Sequence, residues 1–302
     1  MSISGGGEDL LLDRRLLRRR LTRWRLLALA ALAVVGALVF PGVFDGTSRP
    51  HIARLPVEGL IVANEEQVAL IDALAKDDDV KAVILSIDSP GGTTVGGEAI
   101  YDALRRLADK KPVVASIGTL GTSAAYLIAL GTDRIFAYET SLTGSIGVLI
   151  QSPEFSKLMA EVGISVNEIK SAPLKASPSP FEAISPDARA ALQGVIDDSF
   201  AWFKDIVAER RKLSPAELAA VTDGRIFTGR QALAAKLVDE LGAERQIRAW
   251  LESEKGLEPD LPILKADPEG EVDVSDILSG KAFVPKWLTL DGLTAVWHPR
   301  LD

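Results

Sequence analysis

A turn of small residues near the middle of the chain places a hydroxyl where it could act as a nucleophile. The apolar run 112–117 predicts a buried strand, and the run 127–130 predicts a buried helix. Ser123 lies between them, where the helix begins. The N–H groups of a first helical turn favour the negative charge that forms when a serine attacks a carbonyl. The alternative is that Ser123 only caps the helix, because serine is a preferred N-cap residue.

The composition limits which group could activate this serine. The 302 residues contain no cysteine and only two histidines, His51 and His298, which lie in peripheral segments. A thiol nucleophile and a His-rich metal site are therefore excluded, and we expect neither a metal nor a cofactor. The remaining bases are lysine and carboxylate. A solvated lysine is protonated at neutral pH, whereas desolvation beside apolar groups lowers the pKa of such an amine.

Two lysines are candidates for this base. Lys175 is the only lysine in the proline-rich, otherwise nearly uncharged stretch Ser171–Phe181, where it could be desolvated. Lys170 directly follows a predicted strand at 164–169 and is the rival candidate. Either one could be an ordinary solvated surface lysine, as lysines in general are.

A glycine turn supplies the third element of a possible serine-hydrolase site. Ser89-Pro90-Gly91-Gly92 follows the apolar run 82–87, which predicts a buried strand of a parallel sheet. Consecutive glycines can expose backbone N–H groups on a concave surface, which is one way to build an oxyanion hole. An ordinary strand-to-helix turn would have the same composition.

The N-terminal region predicts a membrane anchor. Residues 1–25 contain seven arginines and three acidic residues, and residues 26–44 contain no charged residue. Nineteen apolar residues are about enough to span a bilayer, and the preceding arginines indicate a cytoplasmic N-terminus. A cleavable signal peptide and a basic nucleic-acid-binding arm are the alternatives. The net charge of the whole chain is −8, and an acidic body does not favour nucleic-acid binding.

Strands alternate with helices after this anchor, which predicts an α/β fold with a mostly parallel sheet. We expect a linker at 45–51, a catalytic domain at 52–256 and a tail at 257–302. The tail contains linker-like proline and acidic residues and three apolar anchors that dock on the same or a neighbouring subunit, namely Phe283, Trp287 and Trp297.

The order of several short motifs resembles one family over residues 52–250. The motifs are Ser89-Pro90-Gly91-Gly92, Ser123 with Tyr126 three residues on, Leu142-Thr143-Gly144-Ser145-Ile146-Gly147-Val148, Lys175 before a Pro-Phe pair, Asp223-Gly224-Arg225-Ile226-Phe227-Thr228-Gly229-Arg230-Gln231-Ala232, and Leu237-Val238-Asp239-Glu240-Leu241-Gly242. This ordered set is similar to bacterial signal peptide peptidase A in its short, single-domain form. The family commonly has Ser-Gly-Gly-Tyr where this chain has Ser123-Ala124-Ala125-Tyr126.

The resemblance implies a Clp-protease/crotonase-like fold, here preceded by one transmembrane helix. It implies Ser–Lys catalysis with Ser123 as nucleophile and Lys175 as general base. It also implies that Ser145 orients the lysine, and that the N–H of Gly92 binds the oxyanion while Gly91 shapes the turn.

The function implied is that of a membrane-anchored serine endopeptidase that degrades signal peptides or other apolar peptides left in the membrane. We expect lipid contact through residues 26–44, no nucleic-acid partner, and a homo-oligomeric ring in which serine and lysine can come from neighbouring subunits. The expected location is the bacterial inner membrane, with the catalytic domain on the outer side. The alternatives are a crotonase-type acyl-CoA enzyme and a non-catalytic scaffold on the same fold.

Overall fold

The computed structural model describes residues 24–31 and 49–266 of the chain. Contacts divide the chain into two units, residues 1–49 and 50–302. In the first unit, residues 24–31 form a helix, α1, with exposed side chains. The remainder of the predicted anchor, residues 32–44, lies outside the described residues. Among the helices that are described, none is long and apolar enough to cross a membrane.

Within residues 49–266, eight strands form one sheet: β1 (His51–Ile61), β2 (Val80–Gly92), β3 (Val113–Thr122), β4 (Arg134–Ala137), β5 (Leu142–Gly144), β6 (Ile226–Thr228), β7 (Glu240–Leu241) and β8 (Ile263–Lys265). Their order is β6-β5-β3-β2-β1-β8, and β4 pairs with both β3 and β7. Every pair is parallel except β5–β6. The predicted α/β class with a mostly parallel sheet is therefore confirmed.

Eight helices accompany the sheet in the same range: α2 (Glu65–Leu74), α3 (Thr94–Ala108), α4 (Ala124–Leu130), α5 (Ser156–Glu161), α6 (Pro186–Arg211), α7 (Pro215–Val221), α8 (Gly229–Ala234) and α9 (Glu244–Lys255). Side-chain caps explain where several of them begin. The side chains of Asn64, Thr93 and Ser185 accept hydrogen bonds from N–H groups in the first turns of α2, α3 and α6.

Buried side chains on both faces of the sheet explain why its central strands are continuous apolar runs. Val83 and Leu85 of β2 point into the larger core, with side chains of α3, α4 and α6. Ala82 and Ile84 belong to the smaller core, with side chains of α9. Because β2 and β3 are buried on both faces, their carboxyl ends are held side by side, and Ser89 pairs with Gly121.

The segment 149–181 differs from the prediction. The predicted strand 164–169 is wrong, because this stretch has an alternating sequence but pairs with no strand of the described sheet. The segment also contains the short helix α5, none of whose residues is buried. The segment instead exposes large apolar side chains, namely Leu149, Ile150, Phe155, Leu158, Val162, Ile164, Val166, Ile169, Leu174 and Phe181.

The sheet continues past residue 256, where the predicted tail begins. β8 pairs in parallel with β1, with Ile263 opposite Ile52, and Leu261 packs in the smaller core. The remainder of the tail, residues 267–302 with its three aromatic residues, lies outside the described residues.

Candidate active site

A cleft of about 670 Å³ opens where β2, β3 and β5 end. Carboxyl ends of parallel strands are the usual place for a ligand site in an α/β sheet. Gly91 and Gly92 line the cleft from β2, Ser123 lines it after β3, and Ser145 lines it after β5. Four of the five site residues predicted from the sequence therefore lie around one cleft. The fifth, Lys175, is not among the residues that line it.

Ser123 occupies a strained turn between β3 and α4. Its φ is 55° and its ψ is −123°, a conformation that costs a residue with a side chain on the order of 1–3 kcal/mol. Its N–H donates to the carbonyl oxygen of Gly144 at 2.9 Å, which holds the turn in place. The side chain makes no capping hydrogen bond to α4, so the interpretation that Ser123 only caps this helix is wrong. The half-buried hydroxyl is left at the cleft surface.

Gly91 allows the end of β2 to approach this serine closely. Its φ is +105°, and a Cβ added here would lie 2.8 Å from the Cβ of Ser123. Its N–H donates to the hydroxyl of Ser89 at 3.1 Å, and that buried hydroxyl donates to the carbonyl oxygen of Gly59 at 2.6 Å. The glycine turn is thus anchored to β1, and the N–H of Gly91 is already in use.

Two further backbone N–H groups close to the glycine turn and Ser123 belong to Gly92 and Ala124. A Cβ on Gly92 would lie 1.8 Å from the carbonyl oxygen of Ile61, so only glycine fits there. Ala124 is the first residue of α4, and the first N–H groups of a helix have no intrahelical acceptor. Its nitrogen lies 3.1 Å from the Cβ position of Gly91, and both Gly92 and Ala124 line the cleft. The sequence signal for this second donor is the place of Ala124 directly after the serine, and it was not among the predicted site residues.

Ser145 borders the cleft from the third strand end. It has a left-handed backbone with φ 51° and follows Gly144, whose φ is 82°. Its N–H donates to the carbonyl oxygen of Arg225 at 2.8 Å, and Gly144 pairs with Ile226 in the antiparallel β5–β6 ladder. These contacts fix the backbone of Ser145 beside the turn of Ser123.

The two candidate lysines differ sharply in their surroundings. The ammonium group of Lys170 pairs with Glu168 at 2.7 Å and with Glu182 at 2.5 Å. Hydrogen bonds to these two carboxylates raise the pKa of Lys170, which is the opposite of what a general base requires. Lys175 is exposed in a loop, and its ammonium group forms no hydrogen bond or ion pair within the part of the chain that the structure describes. The desolvation expected for Lys175 is therefore not present in the single chain.

Tyr126, a residue of the serine motif, has a structural role. It is fully buried, and its hydroxyl donates to the carbonyl oxygen of Leu237 at 2.8 Å. Burial raises the pKa of Tyr126, so the phenol stays a hydrogen-bond donor. This contact ties α4, and hence the turn of Ser123, to the segment that follows α8.

Residues 105–258 match the family model described as Peptidase family S49. The matched range includes Ser123, Ser145 and Lys175. This chain belongs to peptidase family S49. The resemblance predicted from the sequence is thereby confirmed at the level of the family.

Individual relatives of this S49 chain carry protease names. "Putative protease slr0021" of Synechocystis sp. is 40% identical over 219 residues, which cover 72% of this chain and 79% of the relative. "Putative protease MJ0651" of Methanocaldococcus jannaschii is 37% identical over 185 residues, covering 61% of this chain and 60% of the relative. "Putative signal peptide peptidase SppA" of Enterococcus faecium is 29% identical over 227 residues, which cover 70% of this chain and 66% of the relative.

The cleft of this S49 chain has apolar walls, none of whose residues was predicted from the sequence. Leu127 of α4 and Trp202 and Phe203 of α6 line it, together with Leu60 and Val148. Trp202 and Phe203 lie about eighty residues after Ser123, so no local motif indicates that α6 reaches the site. Their position follows from the packing of α6 on α4 in the larger core.

Proposed function

We propose that this S49 chain is a serine endopeptidase that cleaves apolar peptides, with Ser123 as nucleophile and Lys175 as general base. The observation that carries the proposal is the state of Ser123. Ser123 lies on a strained turn, and its side chain does not cap α4. It lines a cleft with apolar walls and contacts a glycine turn. Nucleophilic serines of hydrolases occupy such strained strand-to-helix turns, because the turn exposes the hydroxyl.

The reaction begins when the neutral amine of Lys175 accepts the hydroxyl proton of Ser123 while its Oγ bonds to the carbonyl carbon of the peptide. The electron pair of the C=O double bond moves to oxygen and forms the oxyanion. As the tetrahedral intermediate collapses, the C–N bond breaks and the lysine ammonium group gives its proton to the leaving nitrogen. A water deprotonated by the same amine then hydrolyses the ester and restores the serine.

Backbone donors at the glycine turn stabilise the oxyanion. The N–H of Gly91 is bonded to Ser89, so the role falls to Gly92, joined by the N–H of Ala124. Removing one such donor typically costs about 10²–10³ in kcat. Ser145, held on the opposite side of the turn, hydrogen-bonds to the lysine and orients its amine.

Lys175 comes from a neighbouring copy in this proposal. Two observations support that assembly: Lys175 does not line the cleft of its own chain, and it belongs to the segment 149–181 with its ten exposed apolar side chains. Large exposed apolar surfaces mark interaction sites, and burial among copies would desolvate the lysine. A repeated head-to-tail contact forms a ring when its rotation closes, and a ring is the assembly that we propose.

The substrates we propose are apolar segments, including signal peptides left in the membrane. The side chains of Leu127, Val148, Trp202 and Phe203 offer an apolar surface next to Ser123, which favours apolar residues beside the scissile bond. A relative named as a signal peptide peptidase is consistent with this substrate class. Membership in a peptidase family favours a peptide over an acyl-CoA thioester.

We further propose that residues 26–44 anchor the chain in the bacterial inner membrane, with residues 1–25 in the cytoplasm. The support is the uncharged run behind an arginine cluster. The anchor would keep the cleft close to substrates that remain in the bilayer, on the outer side of the membrane.

A peptidase assay in detergent on a synthetic signal peptide tests the catalytic proposal. Ser123→Ala and Lys175→Ala are each expected to lose at least about a thousandfold in kcat/KM. Ser253→Ala and Lys236→Ala, which change an exposed serine and an exposed lysine outside the cleft lining and outside the segment 149–181, are the matched controls and should retain wild-type activity.

Covalent labelling by a serine-reactive probe separates the alternatives. We expect labelling of Ser123 that is lost in both Ser123→Ala and Lys175→Ala. Wild-type labelling and peptidase activity in Ser123→Ala would contradict the proposed nucleophile. A complete absence of labelling and cleavage in the wild-type oligomer would favour the scaffold, and turnover of an acyl-CoA thioester without peptide cleavage would favour the crotonase-type enzyme.

A further inference from the structure

Four side chains join the two ends of the loop that carries Lys175. Lys170 pairs with Glu168 and Glu182, and the hydroxyl of Ser179 donates to Glu168 at 2.7 Å. Glu168 and Lys170 precede the loop 171–178, whereas Ser179 and Glu182 follow it. We name this set, Glu168, Lys170, Ser179 and Glu182, the Lys170 clamp.

The loop itself has few anchors of its own. Its internal backbone hydrogen bonds are short-range turns, from the N–H of Lys175 to Ala172 at 3.0 Å and from the N–H of Ser177 to Leu174 at 3.2 Å. Residues 171–176 are all exposed. The clamp, in contrast, includes the buried Ser179, whose hydroxyl also accepts a hydrogen bond from the N–H of Phe181 at 3.2 Å.

The clamp lies close to the loop that it closes. Glu168, Lys170 and Glu182 line a small cavity of about 240 Å³ together with Pro173 of the loop. The Lys170 side chain is 16% exposed, and the network ties residues 168–170 to residues 179–182. Ion pairs near a protein surface add little to global stability, so the effect that we assign to this network is local order of the loop between those residues. Local order matters for a general base, because a misplacement of 1 Å can cost about a hundredfold in rate.

We propose that Lys170 is a positioning residue whose clamp holds the loop 171–178 in the arrangement in which Lys175 reaches a Ser123 hydroxyl. This inference rests on the proposed Ser123–Lys175 chemistry. It gives the rival lysine a distinct role, since Lys170 acts through the loop and does not touch the reacting atoms.

The hydrogen bonds within the clamp favour the charged forms of Glu168 and Lys170. Hydrogen bonds from Lys170 and Ser179 lower the pKa of Glu168, and the two carboxylates raise the pKa of Lys170. The clamp therefore remains charged throughout the neutral and mildly alkaline range in which a lysine base operates. Glu154 and Arg189 line an adjacent cleft together with Glu182 of the clamp.

The test compares three clamp variants of the full-length oligomer in the signal-peptide assay. Lys170→Met removes the charge but keeps the aliphatic chain, Lys170→Arg keeps the charge, and Glu182→Gln weakens one pair. Lys236→Met is the matched control, because it breaks a Lys–Glu pair outside the clamp, with Glu217 at 2.7 Å. Each variant is assayed for kcat, KM, the pH–rate profile and the melting temperature.

Lys170→Met is expected to lower kcat at least tenfold with KM nearly unchanged, and to move the rise of the pH–rate profile to higher pH, because a loosened loop leaves the base more solvated. Lys170→Arg should stay within about threefold of wild-type kcat. The kcat of Glu182→Gln should lie between those of these two variants. Lys236→Met should keep the wild-type kcat and pH–rate profile.

Wild-type kcat and pH–rate profile in Lys170→Met would overturn the inference while leaving the dyad intact, as Ser123→Ala and Lys175→Ala would still be inactive. A loss of kcat that follows the melting temperature, with no shift of the profile and no rescue by arginine, would also overturn it. If Lys170→Met does not fold, Glu182→Gln decides by the same criteria. Activity that survives in Lys175→Ala but not in Lys170→Arg would instead make Lys170 the base and refute the proposed dyad.

Discussion

Mixing two inactive variants is the sharpest test of where Lys175 acts. The perturbation is an assembly that contains Ser123→Ala chains and Lys175→Ala chains in equal amounts. Within one chain the cleft contains Ser123, Gly92 and Ser145 but not Lys175. If the lysine serves the cleft of a neighbour, mixed assemblies regain active sites that neither variant has alone.

The size of the recovery follows from the head-to-tail geometry. A site works where a chain with an intact Ser123 receives the loop of a neighbour with an intact Lys175. Random mixing at equal amounts gives about one half for each condition, so about one quarter of all sites should be active. Removing the unmixed assemblies raises this fraction, most of all for small rings. If both residues of a site come from the same chain, no site is restored.

The assay is cleavage of a fluorogenic signal peptide by co-expressed chains that carry two different affinity tags. Sequential purification on both tags ensures that only mixed assemblies are measured. A mixture of Ser123→Ala with the double variant Ser123→Ala, Lys175→Ala is the control and should stay inactive. Recovery no greater than that of this control, in assemblies that demonstrably contain both chains, would refute a lysine supplied by a neighbour.

Three further outcomes test the local structure. Gly91→Ala should reduce kcat at least a hundredfold, as measured by the peptidase assay, because a Cβ at φ +105° would lie 2.8 Å from the Cβ of Ser123. Tyr126→Phe should lower the free energy of unfolding in urea by about 1–3 kcal/mol, because it leaves a buried carbonyl oxygen without its donor. Glu217 has its pKa lowered to about 2, mainly by a hydrogen bond from Lys236, so its stabilising contribution should be complete above the ordinary carboxyl range and disappear as the pH falls towards 2. The difference in melting temperature between wild type and Glu217→Gln should therefore close on acidification.

The sequence predicts the sheet well where burial on both faces dictates it. The apolar runs of β2 and β3 are typical of strands that are buried on both faces of a parallel sheet, so the sequence pattern predicts their position and type. The segment 164–169 shows the limit of this inference. Its alternating pattern is that of a half-buried strand, but a strand also needs a neighbour with free backbone groups, and the pattern does not report whether one is there.

The sequence likewise predicts the position of some site residues and not of others. Gly91 and Gly92 end β2, and Ser123 and Ser145 directly follow β3 and β5. Because these strands lie side by side, their convergence at one sheet edge follows from the order of the strands. The position of Lys175 is not, because an exposed loop has no core to fix it. The position of Trp202 and Phe203 in the cleft could not be predicted either, because it follows from the packing of α6, which depends on contacts between distant parts of the chain.

The pairing of β3 with β5 holds the strained backbone at the cleft in place. Ser123 and Ser145 both have left-handed φ values, and each would relax if its neighbours were free to move. They are not free, because Gly121 pairs with Thr143 and Thr122 pairs with Gly144, directly before the two serines. The cost of presenting two hydroxyls in strained turns is thus met by the buried sheet behind them. Within the described residues the loop of Lys175 has no such sheet behind it. In our proposal its order therefore comes from the Lys170 clamp and from a neighbouring copy.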